Sequence, residues 1–481
     1  MFDVIVIGAG VIGSSIARVL SKYELNTLVL EKNSDVGDET SSANSAIVHS
    51  GYDPHPHTLK AKFNVLGNRL FPTLCEELDI EFEKIGSLTI ASTSEEVEIL
   101  NQLKANGEAN GVETRIIDRD ELFKMEPFVT KKALKALYAP DAGIVNPFEL
   151  CVALMENAMD NGVKLSLNEE VFDIKKNDKY YKIITNKTSY ETKIVVNAAG
   201  INSDFINNLV CEKKEKVLPR KGEYYVLDHF LEDYVSHTLF AVPSSKGKGI
   251  LVSKTTHGNF LIGPSSEFTT NKDDKDTDKE TLDNVLKEAY RLVDYIPLDK
   301  VIRQFSGVRC YHESNDFVIN QPVAGFINFL GIQSPGLASS PAIALECVQM
   351  ISNLLPLKTK ENYNPYRKKV IRMNKLSVEE KNEIIKKDPR YGRIICRCEK
   401  ISLGEVVDSI NRNCGATTVK GVKKRCRPGF GKCQGGFCEP LVLDILSKEL
   451  GKSPLEIMYA NKGSYILKEE TKVIKWKHMI W

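Results

Sequence analysis

No run of apolar residues in this 481-residue chain approaches the roughly 20 needed to span a bilayer. Nor is there a surplus of charge: 65 Lys and Arg against 64 Asp and Glu leave a net +1, which gives no overall attraction to nucleic acid or to an anionic membrane. No export signal is expected either, because "DVIVIGAG" already starts a strand at the third residue and cleavage would destroy it. These absences predict a cytoplasmic chain without a transmembrane segment and without a nucleic-acid partner, with peripheral attachment to a membrane left open. The 42% hydrophobic and 27% charged residues are ordinary for a globular protein, and the length suits roughly two to four domains.

Cysteine, in contrast, is plentiful at eleven residues. Cys75, Cys151, Cys211, Cys310, Cys347 and Cys414 are scattered singly and read as small buried hydrophobes. The other five fall between 396 and 438, a density that scatter does not explain. With no export signal, thiols or metal ligands are expected rather than disulfides.

The amino terminus has a different character. "DVIVIG" alternates Val and Ile into a glycine, as a buried parallel strand does before a tight turn. "GAGVIG" then supplies Gly8 for the turn, Gly10 for close approach of a pyrophosphate, and Gly13 for packing of helix on strand. The helix "SSIARVLSK" turns its positive end to the phosphates. A second strand, "NTLVLEK", ends in Glu31, placed to accept hydrogen bonds from ribose hydroxyls. A lone G-x-G-x-x-G is weak; with strand, helix and acid all in place it predicts a dinucleotide site, for NAD or FAD. Two later segments can return to the same sheet: "KIVVNAAGINSD" (193 to 204) and "INFLGIQSPGLASSPAIA" (327 to 344). A chain that visits one site at its beginning, middle and end suits a large, deeply held cofactor, which favours FAD.

Between these segments lie β-rich runs: "EFEKIGSLTIAS", "EKVLPRKGEYYVLD", "LFAVPSS", "GILVSK" and "FLIGPS". They predict an antiparallel sheet covering one face of the flavin, with substrate held between the two. The polar stretch 265 to 283 reads as a loop leading into a helix.

"GAGVIG", "DAGIVNPFEL", "VVNAAG", "GNFLIGPSSE" and "SPGLASSPAIA" together resemble the D-amino-acid-oxidase-type FAD oxidoreductases over about residues 1 to 350. "NSAIVHSGYDPHPHTLKAK" and "GSLTIA" resemble the glycerol-3-phosphate dehydrogenase and L-2-hydroxyglutarate oxidase branch, whose members transfer hydride to flavin N5. The resemblance extends the cofactor set beyond Gly8, Gly10, Gly13 and Glu31 to Val11, Ser41, Ser42, Val171, Ala199, Gly200, Gly331, Gly336 and Leu337. It places Arg309, which follows a glycine turn at the end of a short β run, in the substrate pocket, where its planar fork suits a carboxylate or phosphate. His49 in "VHSG" matches the loop near the flavin and is the leading proton acceptor, with a packing role the alternative. Lys254 and Tyr224 are candidate substrate contacts, and Arg220 a further cation. His257 and His312 are weaker candidates. His55, His57, His229, His237 and His478 read as exposed or structural.

The clustered cysteines follow C-x-C, 34 residues, C-x4-C, using Cys396, Cys398, Cys433 and Cys438. Four thiolates suit zinc or an iron–sulfur cluster, and a C-x-C half is unusual for zinc. The text around them resembles the bacterioferritin-associated-ferredoxin-like [2Fe–2S] domain. Helices after each cysteine half are expected to aim positive ends at an anionic cluster. Cys426 is surplus to that pattern and reads as a non-ligand. "KGVKKRCR" (420 to 427) adds positive charge that stabilises the cluster, docks an acidic partner, or is a solvated face.

The expected architecture is an α/β Rossmann-type FAD-binding domain with a parallel sheet, discontinuous over 1–355. Into it is inserted an antiparallel β-rich substrate domain (parts of 45–90 and 140–325). A connector at 356–390, a small α-helical cysteine-cluster domain at 391–450 and a tail at 451–481 that packs back on a domain complete the chain. The combination of flavin and cluster resembles the catalytic subunit of anaerobic glycerol-3-phosphate dehydrogenases. It implies FAD and a [2Fe–2S] cluster as cofactors, a small anionic 2-hydroxy substrate, and an electron-accepting flavoprotein or membrane-anchor subunit as partner. Oxidation of sn-glycerol 3-phosphate is the expected reaction. L-2-hydroxyglutarate oxidation is the alternative, and an electron-transfer subunit of a flavoprotein complex a second.

Overall fold

The strand Phe2–Ile7, with Val4, Ile5 and Val6 fully buried, runs through the middle of an eight-stranded sheet in the computed structural model, which describes residues 1–228, 234–243 and 249–470. His229 and His478 lie outside the described residues. Thr27–Leu30 and Ser189–Asn197 flank the strand in parallel, and Lys164–Ser166 and Phe326–Leu330 extend the parallel order outward. Val171–Lys176 and Tyr181–Thr185 join the first half of Ser189–Asn197 as an antiparallel meander, and Val318–Val323 runs antiparallel to Phe326–Leu330. Register pairs Ile7 with Asn197 and Asn197 with Asn328. The turns at 8–13, 198–200 and 331–337 therefore emerge from the same carboxyl edge, where ligands bind in sheets of this kind. The helix Gly336–Ser352 packs against both Val11–Leu20 and Leu59–Leu78.

The second sheet has nine strands and is antiparallel apart from one parallel pair, Thr238–Ala241 with Ser87–Ala91. The expected antiparallel, β-rich sheet is present, with that pair as its parallel contact among the described residues. Its two strands come from distant parts of the chain, so no hairpin fixes their direction. The insert is also broader than expected. Residues 91–139 add the strands Arg115–Asp118 and Lys135–Ala139 and the helix Ser94–Ala109. Arg309 lies inside the twelve-residue strand Val301–His312, not at the end of a short one. The preceding Gly307 makes no turn. A Cβ there would stand 2.1 Å from the Ala43 carbonyl oxygen, so the glycine lets the 40–44 loop lie directly on the strand.

The chain divides into two units, Met1–Val370 and Ile371–Trp481, and the boundary splits the expected connector. Its first part is tied to the first unit. Lys360 N–H donates to the Lys22 carbonyl, Arg367 pairs with Glu156 at 2.9 Å, and Val370 N–H donates to Asp79. The helix Val378–Lys387, started by a Ser377–Glu380 capping box, belongs to the second unit. There a short hairpin, Ile394–Cys396 with Ile401–Ser402, and the helices Leu403–Asn411, Val419–Cys426 and Glu439–Leu450 enclose Val406, Val422, Val442 and Leu446. Ile457 of the tail fills the same core.

Candidate functional site

The glycine turn is built by contact. A Cβ on Gly13 would stand 1.9 Å from the Gly8 carbonyl oxygen, and one on Gly8 2.5 Å from the Ala198 oxygen. Gly8 and Gly13 thus clamp strand, helix and the 198–200 turn together, while Gly10, Val11 and Ile12 face a cavity of about 610 Å³. The helix Val11–Leu20 has no acid in its first turn, and Ser41 Oγ accepts from Val11 N–H at 2.9 Å. The electropositive end is left facing the cavity, which fits a pyrophosphate. Glu31 is buried and already engaged: Ala9 N–H and Asn33 N–H donate to its two oxygens at 2.8 and 2.9 Å. Burial pushes its carboxyl pKa up, against those two donors. Each carboxylate oxygen keeps a lone pair, so a ribose hydroxyl still has an acceptor.

The same cavity takes in Gly200, Gly336 and Leu337 from the later turns and His49, Tyr224 and Arg309 from the substrate side. Gly331, Ala199, Ser42 and Val171 do not line it, and neither does Glu31. Val171 begins a strand with its side chain in the core, and Ser42 Oγ donates to the Asp38 and Glu39 carbonyls. Lys254 is also displaced from expectation. Its Nζ pairs with Glu83 at 3.0 Å and it does not line the cavity, because alternation along Leu251–Lys254 turns Leu251 to the cavity instead. His257 contacts Glu81 at 3.3 Å, His312 contacts Glu215 at 3.1 Å and His237 contacts Glu126 at 2.7 Å, none of them in the cavity.

His49 stacks on Phe240 with centroids 5.8 Å apart, and its Nε2 is 3.5 Å from Ser334 Oγ. Tyr224 stacks on Phe305 at 4.6 Å, and its hydroxyl is 3.2 Å from Ser45 Oγ. Arg309 donates to the Ser265 carbonyl at 3.3 Å and is otherwise turned to the cavity. Ser45, Phe240 and Ser334 were missed by sequence reasoning. Ser45 and Ser334 stand inside the motifs that carried the resemblance, which was the available signal. Phe240 carried none.

In the second unit Cys398 and Cys433 lie 3.7 Å apart sulfur to sulfur, and Cys396 and Cys438 form a second hydrogen-bonded thiol pair. The Cys438 thiol holds the Cys396 pKa down, and Cys438 is pushed up in return. Two thiolates at the usual ~2.3 Å from one tetrahedral metal stand about 3.7 Å apart, so the Cys398–Cys433 spacing suits a metal, and Cys396, Cys398, Cys433 and Cys438 are the residues that would hold a cluster. A Cβ on Gly431 would meet Cys398 Cβ at 2.4 Å, so this glycine allows the two cysteine loops to close. Cys438 is the N-cap of Glu439–Leu450, which gives the expected helix end at one cysteine. The helix Leu403–Asn411 instead closes its own end with a Ser402–Glu405 capping box. Cys426 is held elsewhere, with its thiol on the Val422 carbonyl and its pKa raised by burial. The basic run is not a solvated face throughout: Lys423 and Lys424 are buried, and Lys423 Nζ sits 4.7 Å from the Phe430 ring.

A glycine turn at the carboxyl edge of a parallel sheet, opening into a cavity walled by a second, cation-bearing sheet, defines a dinucleotide-dependent oxidoreductase. The chain belongs to the FAD dependent oxidoreductase family, whose model matches residues 3–350, and residues 394–448 match the BFD-like [2Fe-2S] binding domain. It is 48% identical over 98% of its length, and 99% of the relative's, to a glycerol 3-phosphate dehydrogenase of Caloramator mitchellensis. It is 33% identical to a glycerol 3-phosphate oxidase of Mycoplasma genitalium over 76% of this chain and 97% of that one. An L-2-hydroxyglutarate dehydrogenase of Indibacter alkaliphilus is 31% identical over 55% of this chain and 68% of its own. Among solved structures, dithionite-reduced L-alpha-glycerophosphate oxidase from Mycoplasma pneumoniae with FAD bound superposes with a TM-score of 0.73 at 32% identity, covering 76% of this chain and 98% of that one. No helix among the described residues is long and apolar enough to cross a membrane.

Proposed function

We propose that the protein oxidises sn-glycerol 3-phosphate to dihydroxyacetone phosphate and passes the electrons outward through its carboxy-terminal segment. The observation that carries the reading is the convergence of Arg309, His49 and the Gly10 turn on one cavity. Near end-to-end similarity at 48% identity to a glycerol 3-phosphate dehydrogenase supports the substrate, whereas L-2-hydroxyglutarate dehydrogenases are matched at 28% identity over 71% of the chain and at 31% over 55%.

In this reading Arg309 binds the phosphate through its guanidinium fork and so sets which carbon faces the cofactor. His49 Nε2 takes the hydroxyl proton at the carbon being oxidised, and Ser334 Oγ beside it orients the ring. Phe240, stacked on His49, limits its rotation and excludes water on that side. Tyr224 and Ser45 close the opposite wall. FAD bound by the Gly10 turn would supply the two-electron acceptor for the hydride. A [2Fe–2S] cluster held by Cys396, Cys398, Cys433 and Cys438 would supply one-electron transfer. Anaerobic mixing of the purified holoprotein with glycerol 3-phosphate should bleach the flavin absorbance, and L-2-hydroxyglutarate should not. Bleaching by L-2-hydroxyglutarate alone would replace the substrate assignment.

A further inference from the structure

The most exposed large apolar side chain among the described residues is Phe437, at 83%. It immediately precedes Cys438, and Leu441, one helical turn on, is 40% exposed. Three cations stand exposed in the same two loops: Arg397 between Cys396 and Cys398, Lys400 two residues beyond Cys398, and Lys432 next to Cys433. The neighbouring acids are turned inward. Glu399 bonds Arg427 at 2.8 Å, and Glu439 is half-buried beside Gly435. The contact of Gly431 with Cys398 and the 3.7 Å spacing of Cys398 and Cys433 bring the loops together, so the cations and Phe437 gather around the thiols. The thiols are themselves graded: Cys396 and Cys438 are buried, while Cys398 and Cys433 reach partial exposure.

We propose that Phe437 and Leu441, ringed by Arg397, Lys400 and Lys432, form the docking surface for a one-electron carrier protein with an acidic patch around its own redox group. The inference rests on the reading that electrons leave through the cysteine segment. An apolar centre with a charged rim is the anatomy of a protein interface. A patch this small suits the brief encounters of electron transfer, which bury less than about 1,200 Å². A rim of one sign steers an oppositely charged partner and speeds its arrival. Oxidation of one alcohol to a ketone releases two electrons and two protons, so two carriers each leave with one electron and the protons pass to solvent.

The test uses the full-length holoprotein, reduced anaerobically with glycerol 3-phosphate and, in parallel, with dithionite. Soluble cytochrome b5, an acidic haem protein, is the probe, and basic cytochrome c is the control. The rate of cytochrome b5 reduction should fall as salt rises. The triple variant Arg397→Glu, Lys400→Glu, Lys432→Glu should slow it by about tenfold or more and remove the salt dependence, while speeding cytochrome c. Phe437→Ser should slow it at every salt concentration. Iron content and flavin bleaching by substrate should match the parent in both variants. A triple variant that reduces cytochrome b5 at the parent rate overturns the proposal. So does a triple variant that loses only binding to phosphatidylserine vesicles, which would assign the surface to lipid. Cys398→Ser separates the two readings: if it still reduces cytochrome b5 at the parent rate, the exit route itself is wrong, whereas loss of transfer there with no effect of the charge changes removes the docking surface alone.

Discussion

Arg220 and Arg309 are direct cross-strand partners in the pairing of Val217–Leu227 with Val301–His312. Burial, and after it the Arg309 charge, lowers the Arg220 guanidinium pKa from its usual value. Like charges opposed across strands are destabilising, and an anion at Arg309 relieves that cost. Glycerol 3-phosphate, and inorganic phosphate more weakly, should therefore raise the thermal midpoint of the holoprotein, by the equivalent of about 2.7 kcal/mol at a hundredfold excess over Kd. Arg309→Gln should abolish most of the rise. Equal rises in parent and variant, measured by scanning fluorimetry, would move the anion site elsewhere.

Arg309→Lys keeps the charge and loses the fork. We expect KM to rise and kcat/KM to fall by about tenfold to a hundredfold with flavin content unchanged. Steady-state kinetics on glycerol 3-phosphate decide it, and parent values would remove Arg309 from the substrate site.

His49→Asn should retain flavin yet lower the rate of substrate bleaching by about 10² to 10⁴, the usual range for loss of a general base. Ser334→Ala, which removes only the group 3.5 Å from Nε2, should cost much less. Stopped-flow bleaching as a function of pH separates a base from a packing residue: a base loses its pH-dependent step, and a packing residue keeps it.

The glycines of the turn should fail in different ways. Gly13→Ala drives a methyl group to 1.9 Å from a backbone oxygen and should destabilise the whole unit, seen as a lowered thermal midpoint or as loss of soluble protein. Gly10→Ala meets only Ser41 Oγ, at 3.2 Å, so the chain should fold while losing flavin. Full flavin occupancy in folded Gly10→Ala would contradict the cofactor placement.

Serine at Cys396, Cys398, Cys433 or Cys438 should remove iron and acid-labile sulfide together and leave FAD in place, whereas Cys426→Ser should keep both. Metal analysis with EPR on reduced protein reads this directly. Stoichiometric zinc without sulfide would reduce the cysteine cage to a structural clip.

Much of this protein is legible in one dimension because its signals are local. The Gly8–Gly13 turn, the alternating Phe2–Ile7 strand and the paired cysteines are constraints on adjacent backbone, so their spacing survives in the sequence. The helix Val378–Lys387 carries its own start signal in Ser377 and Glu380. What the sequence could not settle is which way a side chain turns. Lys254 looked like a substrate cation and is spent on Glu83, while Lys423 and Lys424, in a basic run for which a solvated face was one of three readings, are buried. Gly307 looked like a turn, and its need for glycine comes from Ala43, 264 residues earlier in the chain. The sequence by itself determined the glycine turn, the C-x-C and C-x4-C spacings and the order of the main segments, because each depends on near neighbours. Only the tertiary structure decided that His49, Phe240, Arg309 and Ser334 share one cavity and that Cys398 meets Cys433 across 34 intervening residues, because contacts between distant segments are set by packing and leave no period to read.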